Sequence, residues 1–90
     1  MLNEVRKAAQ EYFDGDLGKH FEGEVPVRLI GAIILKGTMI PQAMTLHEAE
    51  FGRFSLHLVK RELTNQWEVV DEMDEQDFLE EGGQVEQFSA

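Results

Sequence analysis

HEAEFGRFSLH, residues 47–57, admits two local structures, and the choice between them decides the fold. Thr45 and Glu48 match a capping box that would start a short helix from Thr45 to Phe51, ended by Gly52. Such a helix has a poor apolar face: Leu46 and Ala49 align but Phe51 does not, so little burial offsets the nucleation cost. The alternative is a β-hairpin turning at Gly52 and Arg53, with glycine at the first turn position of a type II′ turn. We prefer the hairpin. His47 followed by Glu48 also opens like a zinc-protease helix, but that motif needs a second histidine four residues on, and position 51 is Phe.

A two-residue loop fixes a register, because the side-chain period of a strand is two. Phe51 should then face Phe54 and Glu48 should lie opposite His57, with His47 on the other face. A second turn at Thr64 and Asn65 would pair Glu62 with Trp67, Arg61 with Glu68, Val59 with Val70 and His57 with Glu72. One face of the sheet then carries Phe51, Phe54, Leu56, Leu58, Trp67 and Val69. The other carries Glu48, His57, Glu72, Arg61 and Glu68, with a strip of Leu46, Val59 and Val70.

Upstream, residues 3–14 read as an amphipathic helix with Leu2, Val5, Ala9, Tyr12 and Phe13 on its apolar side, capped by Asn3 and stopped at Gly15. That helix can cover the Phe54 face. GDLGKHFEGE, with His20, reads as a loop. VPVRLIGAIILKG, from Val25, is β-branched and apolar on both faces, which predicts a central strand with Pro26 near its start and a bulge or close approach at Gly31. Pro41 confines the start of the next strand to an edge or a turn. Downstream, DEQDFLEEGG predicts a short helix stopped by Gly82 and Gly83, and QVEQFSA has no period. The expected fold is α+β: an N-terminal helix on a four-stranded antiparallel meander, residues 1–73, followed by an acidic C-terminal helix or tail, residues 74–90, partly disordered.

Composition limits the function. Ninety residues with 42% hydrophobic and 29% charged side chains suit one soluble globular domain. The chain has no cysteine, and therefore neither a disulfide framework nor a thiolate metal site. No signal-peptide core or membrane-length apolar run is present, so a cytoplasmic protein without membrane contact is expected. Of the net charge of −10, residues 1–67 carry eight bases and nine acids, whereas residues 68–90 carry nine acids and no base. The scattered bases disfavour direct nucleic-acid binding. A short helix ahead of VPVRLIGAIILKG is laid out similarly to Sm-like RNA-binding proteins, but its glycine and leucine spacing differs and the charge opposes RNA, so no family is assigned.

Candidate chemistry is sparse. Ser55 and Ser89 lack a nucleophile elbow, and glycine-rich phosphate motifs are absent. Glu48, His57 and Glu72 could form a proton relay or metal site if the two registers bring them together; otherwise they are a solvated sheet face. The acidic stretch is more informative. Glu68, Asp71, Glu72, Asp74, Glu75, Asp77, Glu80 and Glu81, with Phe78 and Leu79 as apolar anchors, have the composition of a surface that meets a basic protein. Against this stands a merely solubilising terminus whose Phe78 and Leu79 pack on the domain. The preferred function is thus a non-enzymatic protein-binding module, regulatory or inhibitory, whose carboxylates can mimic nucleic acid towards a basic partner. No cofactor or metal is expected. The competing readings are a ligand-binding or catalytic domain using Glu48, His57 and Glu72, and a structural subunit that self-assembles through sheet edges.

Overall fold

The computed structural model describes residues 2–13 and 27–86. Gly15, His20 and Pro26 lie outside the described residues. The architecture is α+β: helix α1 (Leu2–Tyr12), strands β1 (Arg28–Ile34), β2 (Gln42–Ala49), β3 (Gly52–Arg61) and β4 (Gln66–Asp74), and helix α2 (Glu75–Glu80). The strands form one antiparallel sheet in the order β1-β2-β3-β4. Residues 47–57 therefore form a hairpin and not a helix. Asn3 falls inside α1, so it does not cap the helix as expected from the sequence.

α1 lies across one face because its apolar stripe meets alternate side chains of all four strands. Val5 and Ala9 are buried there with Ala43, Leu56, Leu58 and Trp67, and Tyr12, Phe13, Leu29, Ile34, Phe54 and Val69 pack around them. This is the predicted core face with one exception. Phe51 sits in the hairpin turn and remains 55% exposed.

The registers differ from those expected, each for a local reason. β2 and β3 turn through Glu50 and Phe51, so that Ala49 faces Gly52, Glu48 faces Arg53 and His47 faces Phe54. Gly52 follows the turn, at φ 136°, a conformation that side-chain-bearing residues rarely adopt. The slip is four residues. Being even, it leaves every side chain on its predicted face while replacing its partners. β3 and β4 turn through residues 62–65, with Asn65 left-handed at φ 56° and its N–H donating to the Arg61 carbonyl at 2.8 Å. Lys60, not Glu62, faces Trp67. A bulge then intervenes: Leu58 faces Val69 but His57 faces Asp71, leaving Val70 as the extra residue. Beyond it the faces of β4 exchange, which sends Met73 to the side away from α1 and Glu72 towards α1.

β1 is an edge strand, not the central one predicted. It is apolar on both sides because both sides are covered. Leu29 and Ile34 join the α1 cluster, while Ile30, Ile33 and Leu35 join a second cluster with Met44, Leu46, Met73, Val85 and a fully buried Phe78. α2 delivers that phenylalanine. The helix ends where the Gly83 N–H donates to the Phe78 carbonyl and the left-handed Gly82 N–H to the Leu79 carbonyl, both at 3.1 Å, a glycine-terminated Schellman pattern. The ring lies against Gly31 and Gly83: a Cβ at Gly31 would come within 2.9 Å of both the ring and the Gln84 carbonyl, and one at Gly83 would overlap the ring. Gly31 is thus both beside a bulge in β1 and a point of close approach, as its place in the strand suggested. The chain continues along the β1 edge, where the Glu86 N–H donates to the Ile30 carbonyl at 2.6 Å and Glu86 pairs with Arg6 of α1.

Phe78→Ala should destabilise the protein by about 3–5 kcal/mol, the usual cost of removing a fully buried phenylalanine. Leu79→Ala, at a 40% exposed position one residue on, should cost far less. Urea unfolding of the two variants checks this, and similar midpoints would show that α2 does not seal the second face.

Candidate functional site

The proposed polar cluster does not assemble. Glu48 shares a face with His57 but stands between two arginines, with its carboxylate oxygens 2.8 Å from Arg28 and 3.0 Å from Arg53. The hydrogen bond from Arg53, with the charge of both guanidinium groups, holds the Glu48 carboxyl below its ordinary range. The same contact pushes Arg53 upward. His57 donates through Nε2 to Gln42 Oε1 at 2.7 Å and has Met44 and Asp71 as its strand neighbours. Glu72 faces Leu56 on the opposite side of the sheet and accepts a 2.6 Å hydrogen bond from the Tyr12 hydroxyl. The β4 bulge causes that separation. Among the described residues, no three His, Asp or Glu side chains converge as metal ligands.

The histidine that sequence reasoning passed over is the buried one. His47 is 1% exposed, shares a 2.7 Å hydrogen bond between Nε2 and Thr45 Oγ1, and leaves Nδ1 without a partner whichever nitrogen carries the proton. Phe13 meets its ring edge-on at 4.5 Å and Phe54 stacks on it at 5.5 Å. Burial lowers its pKa to about 3. Its place on the apolar face was legible, whereas its complete enclosure depends on the packing of Phe13 at the end of α1.

The acidic residues are placed with more order than their sequence suggests. Glu68, Asp71, Glu72 and Asp74 project from β4, and Glu80 and Glu81 are exposed at the end of α2; Glu75 and Asp77 are half-buried. Phe78 belongs to the core, so only Leu79 of the two apolar anchors is on the surface. Glu68 pairs with Arg61 at 2.6 Å, and Glu75 lies 3.5 Å from Arg53. Asp71, Glu72, Asp74 and Asp77 have no cationic partner among the described residues.

Those four carboxylates border an open groove of about 490 Å³ whose apolar wall includes Phe51 and Phe54. A smaller groove of about 210 Å³ runs between α1 and the β3–β4 turn, lined in part by Glu4, Lys7, Glu11 and Trp67. The Trp67 indole N–H has no partner but is sealed from solvent, so a guest in the smaller groove cannot reach it. No helix among the described residues is long and apolar enough to cross a membrane. The chain matches no family model, no curated protein and no solved structure.

His47 makes stability depend on pH with a defined sign. The folded protein holds it neutral down to about pH 3, whereas the unfolded chain takes up a proton below its ordinary value of 6.5. Its contribution is therefore complete above about pH 6.5 and is lost at roughly 1.4 kcal/mol per pH unit as the pH falls towards 3. His47→Phe should remove this component, and chemical denaturation of both proteins between pH 7 and 5 measures the difference in slope. Equal slopes would contradict a buried neutral imidazole.

Proposed function

We propose that this chain is a small, non-enzymatic, cytoplasmic protein-binding module, regulatory or inhibitory, that meets a basic protein through the acidic surface of β4 and α2. The observation that carries the reading is selective charge pairing. Each of the four arginines is engaged within the fold: Arg6 with Glu86, Arg28 and Arg53 with Glu48, Arg53 also with Glu75, and Arg61 with Glu68. Asp71, Glu72, Asp74 and Asp77, around one groove, have no cationic partner among the described residues. Like charges held close together raise the energy of the isolated protein, and a basic partner relieves that repulsion while steering towards it. In its sharpest form the carboxylates stand in for the phosphates of a nucleic acid in the partner's binding groove.

A hexa-arginine peptide is a usable probe of this surface. The quadruple variant Asp71→Asn, Glu72→Gln, Asp74→Asn, Asp77→Asn should bind it at least ~10-fold more weakly at low ionic strength and show a flatter salt dependence. Neutralising Glu4, Glu11 and Glu62 instead, none of which lines that groove, should cost less per charge removed. Equal losses per charge from the two sets would mean that net charge, and not this surface, governs binding.

A further inference from the structure

We infer that the groove between the β2–β3 hairpin tip and the β4–α2 junction is a pocket for a single arginine side chain of the partner; this rests on the proposed binding function and names its anchor. Three features converge there. Phe51 stacks on Phe54 with ring centroids 5.7 Å apart and planes 19° from parallel, while Phe51 remains half-exposed at the turn. Phe54 lies directly opposite Asp74 across the β3–β4 pairing, and Glu72 follows one residue pair further along the same face. Asp77 of α2 and Asp71 of β4, the latter starting from the other face of the sheet, also line the groove. An aromatic wall next to carboxylates is the environment a guanidinium selects, because its plane stacks on a ring while its N–H groups reach carboxylate oxygens.

The local sequence supports that assignment. Phe51 occupies a turn where a polar residue would serve the hairpin, and it is 55% exposed while stacked on Phe54. Glu72 is held in place by the Tyr12 hydroxyl, so one carboxylate of the groove is oriented before any guest arrives. Arg53, the nearest cation in the sequence, pairs with Glu48 and Glu75 and is not among the residues that line the groove. A lysine offers charge without a stacking plane and fits less well.

Calorimetric titration with hexa-arginine and hexalysine peptides tests the pocket on the full chain. Phe51→Ala, at an exposed turn position, should weaken hexa-arginine binding about 3- to 20-fold while leaving its salt dependence unchanged, and should affect hexalysine less. Asp74→Asn with Asp77→Asn should weaken it more than Glu80→Gln with Glu81→Gln. Amide shifts in a nitrogen–proton spectrum should be largest at Phe51, Phe54 and Asp74. If Phe51→Ala binds like the parent and the two charge pairs are equivalent, the pocket is refuted while the acidic-surface reading stands. If neither peptide binds even at low salt, both fail.

Discussion

The placement of the Phe78 ring against the two glycines, Gly31 and Gly83, is the constraint on which the rest of the structure depends. A four-stranded sheet has two faces, and α1 can cover only one. On the other, Ile30, Met44 and Leu46 are buried because α2 brings in one aromatic ring and residues 83–86 follow it along β1. A side chain at either glycine would occupy the space of the ring. The acidic surface is a consequence of that packing. α2 places its one aromatic residue in the core, which leaves Leu79, Glu80 and Glu81 exposed and Glu75 and Asp77 half-buried.

The two edges of the sheet are treated differently. β1 is shielded by the segment through Glu86, whose N–H meets the Ile30 carbonyl. β4 carries Glu68, Asp71, Glu72 and Asp74 and is broken by the bulge at Val70. Charge and a bulge on an edge both oppose pairing with a second copy. In the proposed function, Asp71, Glu72 and Asp74 on this edge would also meet the basic partner. The contrast with Glu48 shows why position matters more than composition: a carboxylate between Arg28 and Arg53 is already satisfied, whereas Asp74 beside Phe54 is not.

Much of this was legible from residues because it follows from periodicity. The amphipathic helix, the hairpin, the glycine-stopped second helix and the membership of the α1-facing core all follow from spacing. The β2–β3 pairing slipped by four residues without moving a side chain to the wrong face, because hydrophobic alternation specifies parity and the turn specifies the partner. In the observed register Glu48 faces Arg53 and His47 faces Phe54. The Val70 bulge had no comparable signature. It separates Glu72 from His57 in order to bring Met73 under α2, a tertiary demand invisible along β4 itself. For the same reason VPVRLIGAIILKG reported that both its faces are covered but not that it lies at an edge. Phe78 could be read either as an anchor for a partner or as a packing residue until the space beside Gly31 was known.

The most direct measurement of this account is native-state amide exchange at Gly83 and Glu86, whose N–H groups bond to Phe78 and Ile30. If the acidic segment is part of the folded platform, the Gly83 amide should exchange nearly as slowly as the amides of β2 and β3, with Glu86 slowed as well. Exchange of both at the rate of an unstructured peptide would contradict it, since the acids would then belong to a loose tail with no fixed groove.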